Sequence, residues 1–156
     1  MNCVIDANLL AVANLLSKHA TLSCAEQCIK LLGSVQGEGG CVSVDENGEI
    51  FTEYSRHANH KGQPGVGDAF FKWLFQNQGY EIVCEKVSIK SHHERGYEEY
   101  PDSPKVADFD RSDRKYVAVA LSSRYAPAIH NAVDSDWKEY ELVFASFGVV
   151  IVQHCL

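Results

Sequence analysis

Short apolar runs alternate along the chain with stretches whose apolar residues recur at helical spacing. Cys3-Val4-Ile5-Asp6 is an apolar run closed by a carboxylate, the pattern of a strand buried on both faces of a parallel sheet. Leu9, Leu10, Val12, Ala13, Leu15 and Leu16 follow at helical spacing. Ser23 with Glu26 three residues on forms a capping-box pattern and predicts a second helix through Leu32. Gly37, Gly39 and Gly40 end that helix, and Cys41-Val42-Ser43-Val44 reads as the next strand.

Asp45-Glu46-Asn47-Gly48 is a turn signal. Beyond it Ile50, Tyr54 and His57 share one side of a short helix, and residues 61–67 form a glycine-rich loop. Phe70, Phe71, Trp73, Leu74 and Phe75 crowd the helix that follows, and Tyr80-Glu81-Ile82-Val83-Cys84 predicts a third strand. Residues 91–107 are polar and read as a long surface loop or insertion. A helix over 112–121, a short strand at Ala128-Ile129, a helix over 137–145 and a strand over 149–152 complete the pattern. Strands alternating with helices predict an α/β fold, a three-layer α/β/α sandwich with a mostly parallel sheet of about four to five strands. At 156 residues the chain is one domain's length.

Composition changes this picture little. Hydrophobic residues make up 46% and charged residues 22%, both near globular averages. No run approaches the roughly 20 apolar residues of a membrane span. The net charge of -7, from 21 acidic and 14 basic side chains, argues against a protein that grips nucleic acid by phosphate neutralisation alone. It fits a solvated acidic surface or carboxylates converging on cations. The six cysteines form no CxxC pair, and the N-terminus lacks a secretory pattern. The expectation is a cytoplasmic protein with reduced, mostly buried thiols and no disulfide framework. Cys24 and Cys28 share a helix face with His19 nearby, a weak zinc pattern.

The chemistry lies in the acids that follow the strands, because in parallel sheets functional groups gather at the strands' carboxyl ends. Asp6 closes the first strand, Asp134 and Asp136 follow the strand near Ile129, and Glu53 and Asp113 fall near the starts of predicted helices. Packed together, such carboxylates repel and raise one another's pKa. Magnesium or manganese relieves that repulsion through oxygen ligation, and two such ions about 4 Å apart can clamp the attacking and leaving oxygens of a phosphodiester. Each acid also has a plainer role: Asp113 could pair with Asp110 in a cap, Asp134 or Asp136 could cap the helix at Trp137, and Glu53 could be solvated. Asp6 resists such a reading, since a carboxylate ending a buried strand is costly to leave unpaired.

Val4-Ile5-Asp6-Ala7-Asn8-Leu9-Leu10 resembles the opening strand and aspartate-x-asparagine motif of PIN domains. Asp113-Arg114-Lys115-Tyr116-Val117-Ala118-Val119-Ala120-Leu121 resembles their aspartate-bearing helix, and Asn131-Ala132-Val133-Asp134-Ser135-Asp136-Trp137 their late acidic turn. Glu53 in Phe51-Thr52-Glu53-Tyr54 matches their mid-chain acid. The resemblance implies a metal-dependent endoribonuclease leaving 5′-phosphate ends, often the toxin of a toxin–antitoxin pair and frequently a homodimer. It implies Asp6, Glu53, Asp113 and Asp134 as catalytic metal ligands, Asp136 as a further metal-site acid, and Asn8 as the residue orienting Asp6 or water. The loop at 62–67 and the segment at 91–107 are longer than in minimal members, and Ala132 stands near a position where many carry Ser or Thr.

The expected activity is hydrolysis of single-stranded or looped RNA in preference to DNA, with Mg2+ or Mn2+ and no membrane. Lys61, Arg114 and Lys115, with Lys72 and Arg111, are candidate phosphate contacts, and His93, Tyr97 and Tyr100 candidate base-stacking groups. Two alternatives stand beside it. One is a non-catalytic PIN-like module that binds RNA or a basic protein partner. The other is a phosphatase with Asp6 as nucleophile, for which Asn8 stands where a second aspartate is usual. Gly65-Val66-Gly67 lacks the Gly-Lys-Ser/Thr of a phosphate-binding loop.

Overall fold

In a computed structural model, which describes residues 1–155, β1 (Asn2–Ile5) runs through the centre of a five-stranded sheet. Its neighbours are β2 (Cys41–Asp45) on one side and β6 (Ala128–Asn131) on the other. β3 (Cys84–Val87) lies outside β2 and β7 (Ile151–Gln153) outside β6, giving the order β3-β2-β1-β6-β7 with every pairing parallel. Helices flank this sheet as the outer layers of an α/β/α sandwich, as the alternating pattern predicts. Val4, Ile5, Val42 and Val44 are wholly buried, as strands covered on both faces require.

α1 (Ala7–Ala13) packs against α2 (Leu22–Gly37), α3 (Glu49–His57) and α4 (Val66–Gln76). Gly67 lets α4 approach α1, since a Cβ there would run into the Leu10 carbonyl. α1 is shorter than its leucines suggest. Asn14 is drawn into a reciprocal bond with Asp68 (Nδ2 to Oδ1 3.0 Å, Asp68 N to Oδ1 2.9 Å), the next residue takes φ 61°, and Leu15 and Leu16 are exposed. α2 also begins differently: Thr21, not Ser23, caps it by accepting from Cys24 N at 3.1 Å. Gly48 supplies the left-handed turn before α3 (φ 82°). There Asp45, buried at the end of β2, accepts from Glu49 N and Ile50 N at 2.9 and 2.8 Å.

α5 (Arg114–Ser122) packs across β2, β1 and β6, burying Tyr116 to Ala120 without a break. Its alanines let the helix lie close on the sheet. α6 (Ser135–Glu139) and α7 (Glu141–Ala145) replace the single helix expected over 137–145. Trp137 and Phe144, both wholly buried, meet Phe109 with ring centroids 4.9 and 4.8 Å away.

Three other expectations are corrected. The third strand starts at Cys84 rather than Tyr80, because the backbone turns first: Val83 N and Cys84 N both bond to Tyr80 O at 2.9 Å. Residues 91–107 are not a plain surface loop. They hold a hairpin, β4 (Ser91–His92) with β5 (Gly96–Tyr97), and then bury Tyr100 and Val106. Cys24 and Cys155, 131 residues apart, are joined by a disulfide, while Cys3, Cys28, Cys41 and Cys84 are free, buried thiols. Among the described residues, no helix is long and apolar enough to cross a membrane.

Candidate metal centre

The strand order reverses direction at β1: the chain moves one way to β2 and β3, and later returns to fill β6 and β7 on the other side. The crevice beyond the carboxyl ends of β1 and β6 is therefore the topological switch point, where parallel sheets bind ligands. Asp6 immediately follows β1, and Asp134 follows β6 by three residues. Asp113 enters from above, at the junction of a 3-10 turn (Arg111–Asp113) with α5. One carboxylate oxygen from each of Asp6, Asp113 and Asp134 lies within 4.8 Å of the other two.

Local geometry fixes each acid. Asp6 caps α1, accepting from Asn8 N at 2.9 Å, and its other oxygen accepts from the Trp137 indole N–H. Burial drives its pKa up to about 6; these two donors restrain the rise, and Glu53 and Asp134 add to it. Asp134 caps α6, accepting from Asp136 N at 2.9 Å, and burial raises its pKa too. Asp113 differs. Only 6% exposed, it faces Asp6 and Asp134, and its side-chain hydrogen bond is to the Asp134 carboxyl, with which it shares a proton while no cation is bound. Burial first, then the charges of Asp6, Asp134, Asp110 and Glu53, push it up to about 8. A buried carboxylate facing two others has a divalent cation as its natural complement.

Glu53 and Asp136 fall outside this trio. Glu53 Oε2 accepts from Tyr116 Oη at 2.6 Å and pairs with Lys115 Nζ at 2.7 Å. Lys115 also donates to the Ser112 carbonyl, and it lines the hollow beside Glu53. Asp136 lends its backbone N–H to Asp134. Asn8 touches Asp6 only through its main chain. Its side chain donates to Asn131 Oδ1 at 2.9 Å and accepts from Ala132 N and Val133 N at 3.0 and 3.3 Å, holding the loop that carries Asp134.

The proposed substrate contacts separate sharply. Arg114 is buried, and its guanidinium donates to the carbonyls of Phe109, Ala107 and Arg95 while lying 4.7 Å over the Tyr100 ring. Arg114 and Tyr100 are thus packed against each other, away from solvent. Lys61 lies in the α3–α4 loop and does not line the hollow beside the acids. That hollow, about 270 Å³, is bounded by Glu53, Arg56, Tyr97, Arg111, Ser112 and Lys115. Sequence reasoning missed Trp137, Tyr116 and Asn131 as supports of the acids; only the aromatic after the late acidic turn gave a signal.

No family model, curated protein or solved structure matches the chain.

Proposed function

We propose that the chain is a divalent-metal-dependent nuclease, PIN-like in type, acting on single-stranded or looped RNA. The observation that carries this reading is the trio Asp6, Asp113 and Asp134 at the switch point, with Asp113 buried and facing the other two. Oxygen ligands of this kind suit Mg2+ or Mn2+. When bound, such an ion supplies Lewis-acid stabilisation of charge on a phosphodiester.

The chain's own groups do the rest. Trp137 and the Asn8 backbone hold Asp6 in one orientation, and the Asn8–Asn131 pair fixes the loop of Asp134. Lys115 is held by Glu53 and the Ser112 carbonyl at the edge of the adjoining hollow. The adjoining hollow presents Arg56 and the Tyr97 ring, with Arg111 at its edge held by the His93 and Glu94 carbonyls and Glu49 beside Tyr97; Arg56 suits a phosphate and the Tyr97 ring an unstacked base. A covalent role for Asp6 fits less well, because Asn8 stands where such enzymes carry a second aspartate and its side chain is spent on the β6–α6 loop.

The deciding experiment is cleavage of single-stranded RNA, structured RNA and single-stranded DNA with Mn2+, run beside Asp113→Asn. The expected result is metal-dependent cutting of RNA by the wild type, reduced roughly 100-fold or more in the variant. Equal cutting by a folded Asp113→Asn protein, or none by the wild type on any substrate, overturns the proposal.

A further inference from the structure

Cys24 and Cys28 stand one turn apart on α2 and so present their sulfurs on one face. The tail after β7 brings Cys155 to that face. The three Sγ atoms all lie within 4.8 Å of one another, and Cys28 Sγ is 3.9 Å from Cys155 Sγ. A bridge between Cys24 and Cys155 uses two of these sulfurs and leaves the third, wholly buried, without a task.

We propose that, once the bridge is reduced, Cys24, Cys28 and Cys155 form a three-thiolate site for a thiophilic cation of the zinc class. Three sulfurs each about 2.3 Å from one ion stand roughly 3.8–4.0 Å apart; the Cys28–Cys155 spacing of 3.9 Å has that value with the bridge in place, and the Cys24 and Cys155 sulfurs reach it by separating once the bridge is reduced. Cys24 and Cys28 close the site on the protein side, while half-buried Cys155 leaves a face toward solvent. A fourth position can therefore be filled by water, as in sites with three protein ligands. His19, the partner the sequence offers, is exposed and stands outside the cluster. The site joins the chain's C-terminal tail to α2 and is independent of the nuclease reading, because soft sulfur ligands and hard carboxylates select different ions.

The chemistry balances. A dithiol reductant cleaves the Cys24–Cys155 bond, delivers two electrons and two protons to the pair, and closes its own disulfide. Loading the ion then expels three thiol protons. Burial pushes the Cys28 thiol up to about 11, which starves it as a nucleophile near neutral pH. Coordination removes that obstacle by deprotonating the thiol outright.

The test uses the full chain, reduced and kept anaerobic, titrated with Co2+ as a spectroscopic stand-in and then with Zn2+ against a chromophoric chelator. The expected result is a thiolate-to-cobalt charge-transfer band at one equivalent, displaced by Zn2+, and protection of three thiols from alkylation. Cys28→Ser and Cys155→Ser should each weaken Zn2+ binding at least tenfold, and Asp113→Asn should leave the band intact. The second cysteine variant lies at the half-buried tail, so loss of fold at position 28 does not blunt the test. Absence of the band in reduced wild type, its survival in Cys155→Ser, or its loss in Asp113→Asn overturns the proposal.

Discussion

Lys115 Nζ lies 2.7 Å from Glu53 Oε2, with side chains only 10% and 17% exposed. α3 supplies the carboxylate and α5 the ammonium, so the pair ties together two helices as well as two charges. Glu53 is thereby neutralised without any metal, and the aspartates are left as the uncompensated set. Removing one partner of a largely buried pair strands the other, which costs more than the pair itself contributes. Lys115→Met should lower unfolding free energy by about 2–4 kcal/mol, and Lys115→Met with Glu53→Gln should recover at least half of that. Urea denaturation of the four proteins checks it. Independent, additive losses would show that the two groups do not act as a pair.

The pH dependence of the metal-free protein follows from the aspartates. Burial raises Asp113 to about 8 and Asp6 to about 6, against an ordinary value of 3.8. The folded state therefore holds protons that the unfolded chain has released, and the aspartates' contribution to stability falls as pH rises from about 4 to about 8. Asp113→Asn should flatten that decline and stabilise the metal-free protein at pH 8, on the order of a few kcal/mol. Mn2+ should do the same for the wild type but not for the variant. Thermal denaturation across pH, with and without Mn2+, checks both. A decline of equal slope in Asp113→Asn would remove Asp113 as its source.

The trio was legible in the sequence because each member is marked locally. Asp6 ends an apolar run, Asp113 opens a helix and Asp134 follows a strand, and a parallel sheet sends all three such places to one edge. Glu53 is marked in the same way, but its fate depends on how closely α3 approaches α5, which no local pattern encodes. Arg114 and Lys115 are adjacent cations on one helix, yet one is buried under Tyr100 and the other faces Glu53. Only the fold of residues 91–107 over α5 separates them. The strand expected at Tyr80 fails for a related reason: its alternation is real, but Tyr80 and Ile82 are 63% and 81% exposed. β2 pairs instead from Cys84, opposite Val42. The Cys24–Cys155 link spans 131 residues and has no sequence signature.

Arg56 tests the hollow beside the acids. It lines that space with Tyr97 and Arg111, whereas Lys61 does not. Arg56→Ala should raise KM for RNA about 3–10-fold and reduce the salt dependence of binding by about one phosphate contact. Lys61→Ala should change neither. Binding of a fluorescent single-stranded RNA to each variant at several salt concentrations checks this. An equal or larger effect at Lys61 would place the substrate on the other side of α3.

Arg114 makes the opposite prediction. Its guanidinium serves three backbone carbonyls and stacks on Tyr100, so it anchors the hairpin segment to α5. Arg114→Met leaves those buried carbonyls without donors. It should reduce stability by about 2–4 kcal/mol, with KM for RNA unchanged in whatever fraction stays folded. Urea midpoints and active-site-normalised kinetics separate the two effects. A raised KM at undiminished stability would restore Arg114 as a substrate contact.

His130 and His154 provide an acid-side counterpart. Their rings stack, with His130 Nδ1 2.9 Å from His154 Nε2, an arrangement in which one nitrogen donates and the other accepts. Burial lowers His130 to about 4, with His154 adding to the effect, and burial lowers His154 as well. The unfolded chain then binds protons that the folded pair refuses, so this contribution is present above about pH 6.5 and lost as pH falls toward 4. The sign is opposite to that of the aspartates over the same range. In the wild type the two partly cancel, and only variants expose them. His130→Asn should remove about 2–3 kcal/mol of the loss between pH 6.5 and 4, with the remainder of the acid limb left to His154. If the acid limb is unchanged in His130→Asn, the pair does not titrate with folding.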